Sequence, residues 1–333
     1  MLRYCIPLAL CLFSIVDSSA IAEEPLRISG KTMGSYYSIV IDSPGNADGD
    51  RLQAEIEIKF ADISLQMSNW DEDSEISRFN RSESTDWFSV SADFAKVVQE
   101  AGRLHTATEG ALDITVSPLI ELWGFGRKKG RSVPSDEQIE LARKSVGMQH
   151  VEVRIDPPSI RKDIPAVQVN LSSLAPGCAV DEVCRILSLH GLKSFVVDVG
   201  GENRAGEAKS TGDAWRLGVE SPLGGLHTIV ELTGQSIATS GDYRSFFVSG
   251  GKKYSHILSP KAGRPVENPP ASVSVIHQSC MTADGLATAM MVLGSDRGMV
   301  IARQCGVDVM FLDVNEQGKL IETASGVFLQ AKQ

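Results

Sequence analysis

Gln235–Pro260, QSIATSGDYRSFFVSGGKKYSHILSP, has the pattern of a turn, a strand, a tight hairpin turn and a second strand. Ile237 to Gly241 is a run of small residues, which predicts a sharp turn exposing backbone N–H groups to an anion. Tyr243 to Val248 is rich in aromatic and apolar residues and predicts a strand, with Ser249-Gly250-Gly251-Lys252 as a hairpin turn. Lys253 to Leu258 then returns as a second strand, with Tyr254, His256 and Leu258 on one face by the period of two. A histidine opposite a small-residue loop is a candidate general base beside a phosphate. Its ordinary reading is a histidine satisfied within the hairpin.

Around this hairpin, strands and helices interleave without regular βαβ alternation. Leu26 to Ile41 predicts two strands about Met33-Gly34, and further strands are expected at Val167–Leu171, Phe195–Val199 and Val273–His277. Trp215–Glu220 is expected to pair with Thr228–Leu232, and Val307–Leu312 with Gly326–Leu329. Helical spacing of apolar residues predicts helices over Leu52–Met67, with Ile56, Phe60, Ile63 and Met67 inward, and over Ala92–Thr108. Further helices are expected at Glu137–Val146, Asp181–His190 and Ala283–Leu293, and a short one from Ser74-Glu75 through Phe79. The pattern favours an α+β fold over a doubly wound sheet. GGENRAG at 200–206 is not GxGxxG, and GxxxxGK[ST] is absent, so Rossmann and P-loop explanations are rejected.

The 333 residues carry a formal net charge of −10, with 42% apolar and 22% charged residues, as in an ordinary soluble protein. That charge argues against a nucleic-acid partner. It also requires any phosphate site to be made attractive locally, and a divalent cation is the natural means. At the N-terminus, Arg3, the apolar run Ile6–Val16 and Ala20-Ile21-Ala22 resemble a secretory leader. Cleavage after Ala22 is expected, giving a signal peptide over 1–22, a catalytic domain over 23–333 and an exported, soluble protein. Cys11 raises a lipid anchor as the alternative, but Leu10 precedes it where a small residue is expected. The mature chain keeps Cys178, Cys184, Cys280 and Cys305 without a CxxC pair, so buried free thiols are expected.

ATSGDYRSFF and KKYSHILSP resemble the signature of the FAD:protein FMN transferase (ApbE) family. KTMGSYYSIV at 31–40, MSNWDEDSEISRFN at 67–80 and GALDITVSPLIELWGFG at 110–126 resemble further family blocks. So do VNLSSLAPGCAVDEV at 169–183, VVDVGGENRAGE at 196–207 and SVSVIHQSCMTADGLATAMMVLG at 272–294, all in the family's order. The resemblance implies two intimately packed lobes with the flavin nucleotide between them. It implies FAD as substrate, Mg²⁺ as cofactor, and an acceptor flavoprotein that offers a threonine or serine hydroxyl. A membrane enters only through the acceptor or a lipid anchor.

Matched position by position, His256 takes the catalytic place. Met33, Trp70, Ala111, Leu112, Asp113, Asn170, Pro176 and Leu258 take positions that contact the flavin nucleotide. Asp284 and Thr288, four apart on one helix face, take the metal-ligand positions together with the backbone carbonyl of Ser173. Two hard oxygen donors suit Mg²⁺, although Asp at a helix start is ordinarily a cap, and that is also the ordinary reading of Asp113. Asn170 stands where the family usually has Asp, Pro176 where many members have Lys, and Ser259 where an Asp is usual. The implied reaction is Mg²⁺-dependent transfer of FMN from FAD to the acceptor hydroxyl with release of AMP. The alternatives are an FAD pyrophosphatase at the same site and a non-catalytic exported FAD-binding protein.

Overall fold

The computed structural model describes residues 24–127, 130–242 and 246–331. The expected leader and its cleavage site lie outside them, as do Tyr243, Arg244 and Ser245 of the hairpin's first arm. Among the described residues, eight strands form one sheet whose spatial order is the order of the chain. They are β1 (Leu26–Thr32), β2 (Ser35–Ile41), β3 (Phe195–Val199), β4 (Glu202–Ala205), β5 (Ser236–Gly241), β6 (Ser272–His277), β7 (Asp308–Val314) and β8 (Leu320–Ala324). Every neighbouring pair is antiparallel. The helices are carried on excursions between strands, so the fold is α+β, as the irregular alternation predicts.

Two hairpins in the sheet turn on two residues each. Met33 and Gly34 have φ of 50° and 75°, and Gly200 and Gly201 have φ of 66° and 107°. Paired left-handed residues match the twist of the flanking strands. Glycine accepts that geometry freely, whereas a methionine there is uncommon.

Helix α1 (Gly49–Met67) is capped by Asp48, which accepts from the Arg51 N–H, and buries the expected stripe. Helix α2 (Ala92–Ala107) is capped in the same way by Ser91. Helix α3 spans Ala175–Leu189 and so begins six residues before the expected start, with Pro176 in its first turn, where proline's missing N–H costs nothing. Helix α4 spans Cys280–Cys305 and is interrupted at Gly294, whose φ of 71° is not helical. Its first part covers the expected Ala283–Leu293.

The sheet is covered on both faces, and β5 shows this by alternation. Ala238 joins the main core with the helices, while Ile237 joins Trp215, Val230 and Phe328 on the other face. Trp215–Glu220 pairs with Leu226–Leu232, as expected, and this hairpin covers the second face. A third, smaller cluster gathers Trp123, Phe247 and Leu258 with Phe125 and Tyr254. There the Phe247 and Tyr254 rings stack at 5.1 Å, and Trp123 Nε1 donates to the Gly263 carbonyl at 3.0 Å. Cys178, Cys184, Cys280 and Cys305 are free thiols, the first three buried and Cys305 half-buried.

Four expectations are corrected. Ile237–Gly241 is not a turn but lies within strand β5, paired to β6 along its length and to β4 at Ser236 and Ile237. Its small side chains admit α4 on one face instead of bending the chain. The returning strand stops at Ser255 and resumes at Leu258–Ser259, leaving His256 between the two. Val167–Leu171 belongs to no ladder, although Val167, Val169 and Leu171 are all buried with the period of two. Side chains replace a neighbouring strand there. Asn80 Oδ1 accepts from Val169 N–H at 2.8 Å, and the Val169 carbonyl accepts from Asn80 and Asn69 Nδ2 at 2.8 and 3.0 Å. Finally, β7 pairs with Leu320–Ala324, and Val327–Gln330 is a short helix whose Val327 N–H donates to Asp308.

Helices α3 and α4 are in close contact at Gly177, where a Cβ would lie 2.5 Å from the Cys280 carbonyl oxygen. Alanine favours a helix interior over glycine by about 1 kcal/mol, but overpacking against backbone costs typically ~1–3 kcal/mol. Gly177→Ala is therefore expected to lower the urea midpoint with an unchanged slope. An unchanged or raised midpoint would show that the helices can separate at little cost.

Candidate active site

Two clefts adjoin between the helical body and the aromatic cluster, one of about 1140 Å³ and one of about 300 Å³. Ile120, Asn170, Ser172, Pro176 and His256 line both, so they form the partition between them. Met33 and Trp70 line the larger cleft. Ala111, Leu112, Asp113, Ser173, Leu258, Asp284 and Thr288 line the smaller. Every residue singled out for the site thus borders one cleft or both, drawn from segments as distant as the β1–β2 turn and α4.

Local structure explains each placement. Trp70 follows the end of α1 and is 69% exposed, presenting its ring to the larger cleft. Ala111 to Asp113 follow a reversal at Glu109 and Gly110, whose φ values are 55° and 83°. Asp113 caps the short helix Ile114–Val116, accepting from Thr115 N–H at 2.8 Å, and its other oxygen accepts from Met148 N–H at 3.2 Å. Its carboxylate therefore takes the ordinary capping role within the cleft wall. Asn170 donates its N–H to the Ile114 carbonyl at 2.7 Å, and its Oδ1 accepts from Ser172 N–H at 2.9 Å. The asparagine thereby holds the bend into α3. Ser259 accepts from Ala262 N–H at 3.2 Å and serves a surface turn.

His256 is half-buried at the break between the two short strands, with the Phe125 ring edge-on at 6.4 Å. The aromatic cluster behind it fixes both chain ends of that break. Among the described residues, Glu72, Arg81, Glu121 and Arg127 are the charged side chains that border the larger cleft.

In the smaller cleft Asp284 is 5% exposed, and its Oδ2 accepts from the Gly177 N–H at 3.1 Å. Burial pushes its carboxyl up from an ordinary 3.8 to about 7. Thr288 Oγ1 lies 3.3 Å from Ser240 Oγ on β5. Sequence reasoning missed Glu202, at the start of β4, which also lines this cleft. Burial, followed by the charge of Asp284, raises its carboxyl well above the usual range, and the Thr239 backbone N–H opposes this. Glu202 Oε2 is buried and has no hydrogen-bond partner. A lone glutamate after Gly-Gly carries no distinguishing pattern in sequence. Only the pairing of β3, β4 and β5 brings it to Asp284.

Among the described residues no group of three His, Cys, Asp or Glu side chains is gathered as for a metal. Glu202, Asp284, Thr288 and Ser173 nevertheless supply hard oxygen donors around one small cleft, and the orphaned Glu202 oxygen calls for a positive partner. That chemistry fits Mg²⁺ or Mn²⁺ and not a soft metal.

The ApbE family model matches residues 33–311. The chain belongs to the ApbE family. It is 42% identical over 300 residues to the FAD:protein FMN transferase of Vibrio cholerae, covering 89% of each chain. It is 35% identical to the FAD:protein FMN transferase of Haemophilus influenzae, covering 90% of each. Among solved structures, the flavin transferase ApbE from Vibrio cholerae superposes with a TM-score of 0.84 at 41% identity, covering 92% of this chain and 99% of that one. The apo form of the Pseudomonas stutzeri flavinyl transferase ApbE superposes with a TM-score of 0.86 at 34% identity, covering 94% and 98%. As an ApbE-family member the chain is an enzyme, a transferase.

The raised Asp284 carboxyl makes the metal-free protein pH-sensitive. For a group lifted from 3.8 to about 7, the associated stability is complete below the lower value and lost as pH rises through the higher. In EDTA, Asp284→Asn should therefore gain in Tm relative to wild type between pH 5 and pH 8. A constant difference across that range would contradict the buried, uncompensated carboxylate.

Proposed function

We propose that the two clefts hold FAD and that the enzyme transfers its FMN half to a protein hydroxyl with the help of Mg²⁺. The observation that carries this reading is His256 in the partition shared by both clefts, with Asp284 and Thr288 in the smaller one. The named activity of the ApbE relatives supports flavin transfer from FAD to a protein. Mg²⁺ and a threonine or serine acceptor rest on the donor chemistry and on the family resemblance.

In this reading the larger cleft takes the flavin or adenine end, with Trp70 offering an aromatic face and Met33 closing the wall. Ala111, Leu112 and Leu258 supply apolar contact, while Asn170 and Pro176 shape the bend beside the phosphates. The pyrophosphate spans the partition. An acceptor hydroxyl oxygen attacks the FMN phosphorus, a new P–O bond forms, and the P–O bond to AMP breaks. His256 takes the hydroxyl proton, an imidazole being suited to proton transfer near neutral pH. Asp284, Thr288 and the Ser173 carbonyl would hold the cation, which neutralises pyrophosphate and the charge that develops on the leaving AMP.

His256→Ala is expected to bind FAD with near wild-type affinity, measured by flavin fluorescence, and to flavinylate an acceptor on the order of 10²- to 10⁴-fold more slowly. Intact acceptor mass and AMP release in a single turnover supply the rate. A joint loss of affinity and rate would make His256 a binding residue. AMP release without acceptor modification in the wild type would point to pyrophosphatase chemistry at the same site.

A further inference from the structure

Glu202, whose Oε2 is buried in this site, is left without a task by the proposed mechanism. The Gly200-Gly201 turn launches it at the start of β4, where Val199 faces Glu202 across the hairpin. Asp198 Oδ1 accepts from Gly201 N–H at 3.2 Å and fixes that turn. The Thr239 N–H on β5 engages the Glu202 carboxylate from the next strand. The chain therefore anchors this side chain from two neighbouring strands and leaves its Oε2 buried and without a partner. The charges acting on it, Asp284 and Asp198, are both acidic.

A buried carboxylate is ordinarily paired with a cation or fully hydrogen-bonded, because its desolvation is otherwise uncompensated. Glu202 is neither, and Asp284 across the same cleft repeats the problem with a single N–H donor from Gly177. Two carboxylates that accept from single backbone N–H groups, with the Thr288 and Ser240 hydroxyls lining the same cleft, form a receptor for a hard cation.

We infer that Glu202 is a member of the divalent-cation site, holding the ion jointly with Asp284 from the opposite, β-sheet wall of the smaller cleft. This inference rests on the cation reading of the smaller cleft, which the proposed function assigns to Asp284, Thr288 and the Ser173 carbonyl, and adds Glu202 as a ligand. The sheet and α4 then both contribute to the site, so an ion bound there bridges the two layers of the fold.

The test is calorimetric titration of MnCl₂ into flavin-free wild type, Glu202→Gln, Glu202→Asp and Asp284→Ala, with melting curves in EDTA and in Mn²⁺. Glu202→Gln should weaken Mn²⁺ binding roughly 10- to 100-fold, as loss of a partner around a metal typically does. It should also melt higher than wild type in EDTA, because one of two repelling charges is gone, and gain less from added Mn²⁺. Glu202→Asp should keep more of the affinity than Glu202→Gln. Affinity within twofold of wild type together with no gain in EDTA stability would overturn the inference, and so would a Glu202→Gln protein that fails to fold. If Asp284→Ala loses Mn²⁺ while Glu202→Gln keeps it, only the role of Glu202 is wrong. If the wild type takes up no Mn²⁺, the cation reading itself is wrong.

Discussion

The site depends on the contact of α3 with α4 at Gly177. Because Gly177 has no side chain, α3 can lie so close that its N–H reaches the Asp284 carboxylate at 3.1 Å. That one hydrogen bond joins the N-terminal turn of α3, which follows the bend at Asn170–Ser173, to the α4 face that carries Thr288. A residue with a Cβ at 177 would push the helices apart and separate the two halves of the smaller cleft. Asp181 reinforces the same junction from further along α3, accepting from the Cys280 and Met281 N–H groups at 3.0 and 3.1 Å.

A second constraint acts on the opposite wall. The segment before Asn170 is buried yet unpaired with any strand, and Asn69, Asn80 and Ser117 supply its hydrogen bonds. Lys162, itself fully buried, donates to the Phe79 and Val167 carbonyls at 3.3 and 3.0 Å, and burial holds its ammonium below the usual lysine range. Side chains fixed by packing thus set the backbone that lines both clefts. Such a segment need not move when a ligand arrives, because its donors and acceptors are already satisfied.

Much of this was legible in the sequence. The stripe Ile56, Phe60, Ile63 and Met67, the turn at Met33-Gly34 and the four-residue spacing of Asp284 and Thr288 each express a local period or turn chemistry. What was not legible came from pairing between distant segments. Ile237–Gly241 carries turn-like composition, yet its position between β4 and β6 makes it a strand. Val167–Leu171 has strand alternation without a strand beside it. Glu202 is indistinguishable from a surface acid until the order of β3, β4 and β5 is known. The family resemblance supplied the site residues that spacing alone left open, including His256, which lies between two strands and not on one, and lines both clefts.

In the proposed mechanism the phosphates of FAD meet a hard cation at the junction of the two clefts. Crystals of the enzyme with FAD and Mn²⁺, measured at the manganese absorption edge, test it most directly. The predicted result is an anomalous peak in the smaller cleft within coordination distance of Asp284 and the FAD pyrophosphate, with the isoalloxazine or adenine ring in the larger cleft. A manganese peak elsewhere, or FAD bound with its pyrophosphate away from His256 and Asp284, would contradict it.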